Sequence, residues 1–321
     1  MKNFTKYILC LLLCCLIFPA EALAKELIPV GQVVGLELQE GKVTVAAFED
    51  TPENPSRAAG IQIGDHILRI NGTAIHAAED IRNALNQSKG RVQLVISRGG
   101  RELTVHVSPA ITAGGPKLGL YLRQGISGIG TVTWFDPEQG TFGTLGHGVN
   151  NSEGNLLPFV NGNAYAARVV SVRKGKSGEP GQLMGAIASR TPIGELSANT
   201  PQGVFGTTKT GWGGKPVEVA QPGEVRPGPA VIRSTVSDNR VQEYSVEILK
   251  IYPAARQNGR NLLLRVTDPD LLSTTGGIVQ GMSGSPIIQD GKLVGAVTHV
   301  LVNDPQTGYG IFIENMLDAA S

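Results

Sequence analysis

"GMSGSPIIQDGKLVGAVTHV", Gly281–Val300, opens on a loop of small residues and runs into a stretch rich in valine and isoleucine. Glycine, serine and proline in a cluster mark a tight turn between strands in many all-β chains. They also suit a nucleophile loop, where small side chains let backbone N–H groups converge on a carbonyl oxygen under attack. A serine is a useful nucleophile at neutral pH only beside a base, and that base needs a third group to fix its tautomer. Two histidines lie beyond residue 119: His147 in "GTLGHGV" and His299 in "GAVTHV". Gly146 and Gly148 leave the imidazole of His147 uncovered, whereas His299 alternates with valines on a strand. His147 is therefore the expected base.

The rest of the chain sets the frame for that loop. It has 321 residues, 42 of them glycine and only 5% aromatic, which favours short strands and tight turns over long helices. From Leu120 onward, segments such as "GIGTVTWFD", "ARVVSVRKG", "VQEYSVEILKIY" and "GYGIFI" recur at regular spacing with turn signals between them, the pattern of a barrel or sandwich system. No phosphate loop, His-Glu-x-x-His or calcium loop is present, so neither a metal nor another cofactor is implied. No basic, aromatic-interleaved patch points to nucleic acid.

The N-terminus "MKNFTKYILCLLLCCLIFPAEALAKE" carries two lysines, a short apolar run and Ala22-Leu23-Ala24, which reads as a secretory signal or N-terminal anchor over residues 1–24. The expected localisation is thus extracytoplasmic. All three cysteines fall in this segment, so cleavage would leave a chain without disulfides, thiolate metal sites or cysteine nucleophiles. Cleavage would also remove two lysines and one glutamate, taking the formal net charge from +1 to 0.

Residues 25–108 read as a compact module. "GKVTVAAF" alternates as a strand, "AEDIRNALNQS" has helical spacing, and "RVQLVISRGGRELTVHV" reads as a hairpin closed at Gly99-Gly100. With "RAAGIQIGDHILRING" between them, the module resembles a PDZ domain of the bacterial, protease-linked kind. That resemblance implies a protein partner, an extended peptide added to a sheet edge. It assigns peptide binding to Gly35, Leu36 and Leu38 of "VGLEL", with Glu37 as a departure from the family pattern. Asp65 and Asn71 read as turn-forming residues rather than ligand contacts. "SPAITAGGPKLG" reads as a Pro/Gly-rich joint, with a linker over 109–119 and a second domain over 120–321.

"GIGTVTWFDPEQGTFGTLGHGV", "TTGGIVQGMSGSPIIQDGKLVGAVTHV" and "VNDPQTGYGIFIENML" together closely resemble the SpoIVB (stage IV sporulation protein B) serine peptidases, in the clan of chymotrypsin-like enzymes. The resemblance implies a mainly β chain, a PDZ domain followed by a chymotrypsin-like β-barrel serine peptidase domain. It makes Ser283 the nucleophile, the backbone N–H groups of Gly281 and Ser283 the oxyanion donors, and Val297, Thr298 and His299 the substrate wall. It makes Asp268 of "VTDPDLL" the third member of the triad, lying between His147 and Ser283 in the chain order histidine, acid, serine. Asp268 ahead of Pro269 also has the form of a helix N-cap, and both readings stay open. Met282 stands where many chymotrypsin-like relatives carry an acid used in zymogen activation, so access to the site is expected to be controlled by the PDZ domain or the substrate. The implied substrate is a membrane-bound regulator of an intramembrane metalloprotease, and the chain itself. The implied setting is the forespore intermembrane space, upstream of sigma-factor activation. A competing reading keeps the PDZ domain but makes the second domain a degenerate, non-catalytic protease fold.

Overall fold

A computed structural model describes residues 25–151, 154–255 and 259–321. The expected signal or anchor over 1–24 lies outside them.

The organising element is the strand Val33–Phe48, 16 residues long. Its first part is enclosed on both sides: Val33–Gln39 pairs with Gly125–Thr131, and Val34–Gln39 pairs with Asn161–Ala166, both antiparallel. Val34, Leu36 and Leu38 alternate to one face and are 0, 3 and 1% exposed, because successive strand side chains point to opposite sides. Burying each such side chain is worth about 2 kcal/mol, which fixes the register.

From there the pairing runs through Leu120–Asp136, Thr141–Thr144, Gly203–Thr207, Gln182–Thr200 and Asn161–Arg173, and returns to Val33–Gln39. This first ring encloses Val34, Leu36, Leu38, Val132, Phe142, Ala164, Leu196 and Val204. Strands Gly228–Thr235, Val241–Ile251, Leu262–Val266, Asp304–Phe312, Lys292–Leu301 and Pro286–Gln289 close a second barrel around Ile232, Val246, Leu264, Ile287 and Val297. Leu183 of the first ring is packed into that second core.

The far end of the long strand belongs to a different core. Thr44–Phe48 pairs with Leu120–Arg123, while Val43 and Thr44 pair with Ile67 and His66. Around them lie the expected helix, Ala78–Asn86, and the expected hairpin, Val92–Arg98 with Arg101–Val107, turning at Gly99 and Gly100. Val43, Val45, Ile67, Ile81, Leu85, Leu94 and Val107 form this module's interior. Asp65 and Asn71 are turn residues, as read. The Asp65 carboxylate accepts from Gln62 N and from Arg98, and Asn71, at φ +47°, accepts from Gln93 N.

The module is thus inserted between two paired strands of the first barrel, which differs from the expected arrangement of 25–108, linker and 120–321. Glu26–Pro29 and Val33–Gln39 are barrel strands. The expected linker is part of the module: Ala110–Thr112 pairs with Gly115–Lys117, Leu118 is buried in the module core, and Gly119 O accepts from Asn54 Nδ2 at 2.7 Å.

The expected peptide-binding stretch is corrected for the same reason. Gly35, Leu36 and Leu38 are not in a loop with free amides. They sit in a strand flanked on both edges, with Gly35 opposite Ile129 on one side and Tyr165 on the other, and the leucines face the barrel core. Glu37, the departure from the PDZ pattern, accepts a hydrogen bond from the Tyr165 hydroxyl at 3.1 Å.

Candidate active site

Ser283 lies on the turn between the helix Pro269–Thr275 and the strand Pro286–Gln289. The turn is held by backbone bonds within it and to the strand Lys292–Leu301. Met282 N donates to Val279 O, Ser285 N to Met282 O and Gly284 N to Val297 O, at 3.1, 2.9 and 2.8 Å. Met282 is fully buried in the second barrel and anchors the loop from below. The second serine of the motif is structural: Ser285 is 0% exposed and its hydroxyl donates to Ser234 Oγ at 3.1 Å.

No acceptor among the described residues takes the amides of Gly281 or Ser283. Two free N–H groups flanking a nucleophile are what an oxyanion needs. The Ser283 hydroxyl, itself partly exposed, donates to Thr298 O at 2.8 Å.

His147 follows the strand Thr141–Thr144 on an adjoining loop of the first barrel. One residue, Thr131, joins the two loops. Its N–H donates to Ser283 O at 3.0 Å and its hydroxyl to Gly281 O at 2.8 Å, while its carbonyl accepts from Leu145 N at 3.3 Å and Thr144 Oγ1 at 2.7 Å. Gly284 makes the close approach possible. It sits at φ +95°, and a Cβ there would fall 2.0 Å from Thr131 O and 2.6 Å from Leu145 N.

Sequence reading did not single out Thr131. Its signal was a threonine within the apolar strand "GTVTWF", since most buried hydroxyls find a partner, although that of the neighbouring Thr133 has none among the described residues.

The His147 ring is partly buried and stands 5.2 Å from the His299 ring, tilted by 42°. Its Nδ1 is 2.9 Å from Gly148 O. A carbonyl can only accept, so Nδ1 carries the proton and Nε2 keeps the lone pair. Burial pushes the His147 pKa below the ordinary imidazole value, against the opposing effect of that hydrogen bond. His299 is pushed down to about 4, by burial first and then by the charges of His147 and Arg260, and its Nδ1 is buried with no partner among the described residues. Both imidazoles are therefore neutral at pH 7, as a base must be before it takes a proton.

The structure does not bring Asp268 to this centre. Its Oδ1 accepts from Asp270 N at 3.1 Å and Leu271 N at 2.9 Å, and its Oδ2 from Ser245 N at 3.2 Å, so the carboxylate caps the helix Pro269–Thr275. A carboxylate beside His147 would raise the imidazole pKa, and none contributes to its shift.

Of the expected substrate wall, Val297 is 0% exposed and packs in the second core, so it lines no groove. Thr298 presents its carbonyl to Ser283 and buries its hydroxyl against Gly259 O and Tyr309 O. His299 is the one of the three at the imidazole of His147. No group of three or more metal-ligating side chains occurs among the described residues.

Comparison with known proteins bears on these features. Residues 33–108 match the PDZ domain model. The zinc metalloprotease RasP of Geobacillus kaustophilus is 39% identical over 74 residues, 22% of this chain and 18% of that one. The chain matches a quarter or less of the length of its curated relatives. Among solved structures, the Rv3671c protease of M. tuberculosis in its active form shares 14% identity, covering 61% of this chain and 73% of that one at a TM-score of 0.38. The HtrA-type protease AlgW with decapeptide shares 9%, covering 91% and 64% at 0.39. Residues 114–317, which hold both barrel loops, the Thr131 hub and the free amides, match the SpoIVB peptidase S55 model, and the chain belongs to that family of serine peptidases.

Proposed function

We propose that the protein is an exported endopeptidase in which Ser283 is the nucleophile, His147 the general base, and the amides of Gly281 and Ser283 the oxyanion hole. The observation that carries this reading is the meeting of the Ser283 and His147 loops on Thr131, beside two amides with no acceptor. Ser283 Oγ attacks the scissile carbonyl carbon while its proton passes to His147 Nε2, and the oxyanion is received by the two amides. The C–N bond then breaks, the imidazolium protonates the leaving amine, and water attacks the acyl-enzyme by the same route in reverse. Each oxyanion donor in such a site is worth about 3 kcal/mol of transition-state stabilisation.

Family membership supports a narrower role: cleavage of a membrane-associated regulatory protein, and of the chain itself, in the space between mother cell and forespore, leading to sigma-factor activation during sporulation. The PDZ module fits a protein substrate held by an extended segment. A fluorophosphonate probe should label the wild type and fail to label Ser283→Ala. Spore formation that proceeds normally in cells carrying only Ser283→Ala would remove the sporulation role while leaving the chemistry intact.

One observation favours the competing, non-catalytic reading: the serine hydroxyl is bonded to Thr298 O and not to His147. The same probe decides between them, since a degenerate fold would not react at Ser283 in either protein.

A further inference from the structure

His147 follows a strand of the first barrel and His299 lies on a strand of the second, and their rings meet where the barrels join, 5.2 Å apart between centres. The proposed chemistry uses His147 alone. On His299, Nδ1 is buried and has no partner among the described residues, although most buried polar atoms have one. On His147, Nδ1 is engaged by Gly148 O, so Nε2 is the nitrogen left with a free lone pair. An open lone pair and an unsatisfied ring nitrogen are thus held side by side, on two elements that share no other stretch of chain.

We propose that His147 and His299 together bind one zinc ion between the two barrels, reversibly, and that the bound ion switches the peptidase off by taking the lone pair meant for the serine proton. The binding stands on the two rings; the inhibition rests on the reading of His147 as base. Zinc is the metal class that the donors select. Imidazole nitrogen suits zinc and its neighbours in the first transition row, whereas magnesium and calcium take oxygen. In a tetrahedral site with Zn–N bonds of about 2.0–2.1 Å, two imidazoles place their ring centres about 5 Å apart, which is the separation observed.

Two ligands also set the strength. Structural zinc sites have four protein ligands and catalytic ones three, whereas no third histidine, cysteine or carboxylate joins this pair among the described residues, so water completes the shell. The positive charge of Arg260 reaches His299 and opposes a cation there. Such a site holds zinc more weakly than a resident metal is held, as suits an ion that comes and goes. Coordination requires no proton to leave His147 Nε2. It occupies the electron pair with which that atom would accept the proton of Ser283.

Zinc chloride titration of the full chain tests this, with Cys10→Ser, Cys14→Ser and Cys15→Ser in every sample so that no thiolate competes. In proton–nitrogen NMR spectra the ring signals of His147 and His299 should shift together and saturate at one ion per chain, while those of His66, His76 and His106 stay in place. His299→Gln, shown to be folded by circular dichroism, should bind zinc at least about 10-fold more weakly, since even the outer-shell partners of a metal ligand are worth that much. Fluorophosphonate labelling of Ser283 should slow at least about 10-fold at saturating zinc, because general-base assistance is withdrawn, and recover with EDTA. His299→Gln should keep its own metal-free rate when the same zinc is added. Ring signals of His147 and His299 that ignore zinc would overturn the proposal, and this result is readable even if His299→Gln does not fold. Equal zinc affinity in the two proteins would overturn it too, and binding at both rings with unslowed labelling would overturn the inhibition. If Ser283 does not label even without zinc, the active-site reading fails, and the NMR titration still decides the metal site.

Discussion

The hydroxyl of Ser283 points at the carbonyl of Thr298, 2.8 Å away, and Thr298 is the neighbour of the histidine whose ring lies against His147. On the proposed reading, the serine rests on an acceptor that is not a base and must turn toward His147 before it can react.

A substrate N–H placed on Thr298 O would take over that acceptor and free the hydroxyl at a cost near zero, whereas a probe without such an N–H must break a bond worth about 1 kcal/mol. A peptidyl phosphonate with a free amide at the residue preceding its reactive phosphorus should thus label Ser283 at least about fivefold faster than its N-methyl counterpart. Equal maximal rates for the two would rule out displacement at Thr298.

Asp268 separates capping from catalysis by the choice of substitution. Asp268→Ala removes the acceptor for Asp270 N and Leu271 N and should cost about 1 kcal/mol of stability, read by denaturant unfolding. Asp268→Asn keeps a comparable cap and should keep both stability and labelling rate. A native-like unfolding midpoint in Asp268→Asn together with a labelling rate reduced by orders of magnitude would restore this residue to the catalytic group.

Gly284→Ala should disable the site out of proportion to its size. The new Cβ would have to clear Thr131 O, 2.0 Å away, from a backbone at φ +95°, so the nucleophile loop must lift off the strand that links it to His147. A labelling rate lowered 100-fold or more is expected, with a fall in melting temperature; wild-type labelling would show that the contact can relax.

The histidines make the fold sensitive to mild acid. His299 binds its proton at about 4 in the folded chain, against an ordinary value of 6.5, so the unfolded state is protonated first as pH falls. Its effect on stability is absent above 6.5 and grows more unfavourable down to about 4; the lowered pKa of His147 acts in the same direction. Unfolding midpoints measured across pH 6.5 to 4 should decline more steeply for the wild type than for His299→Phe. Parallel curves would contradict the pKa assignment.

The module boundary gives a prediction that the sequence alone would have reversed. A fragment of residues 120–321 lacks Val33–Gln39, so the strands Gly125–Thr131 and Asn161–Ala166 lose the partner between them, and this fragment should fail to fold. Joining residue 39 to residue 125 through a short turn, with the module removed, keeps every barrel strand paired, since Gln39 already stands opposite Gly125. That shortened chain should fold and label at Ser283, as judged by circular dichroism and probe reactivity.

These cases show what the sequence could express. Ser283 and His147 stood out because small residues around a serine and a histidine are a local pattern, and the structure joins their loops on Thr131. The helix Ala78–Asn86 and the hairpin at Gly99-Gly100 were legible from their periodicity and turn residues. Partner choice was not. The alternation of Val34, Leu36 and Leu38 states that one face is buried, yet is silent about which strands cover the edges, and so "VGLEL" could be read as a peptide-binding loop. Asp268 was ambiguous for a physical reason: a short carboxylate ahead of proline serves a helix end or a base equally well until its neighbours in space are known. Thr131 acts on backbone groups far along the chain, and its place in an apolar strand marks a buried hydroxyl without saying which carbonyl it meets.

The single strand that runs from one core into another has a consequence for ancestry as well as for folding. A recombination event that copied residues 25–108 into another gene would carry off a wall of the first barrel and leave two broken pieces. Only breakpoints between the two cores, near residues 40 and 124 of the paired strands, yield parts that are each whole, so this module can be gained or lost only as cargo within its host.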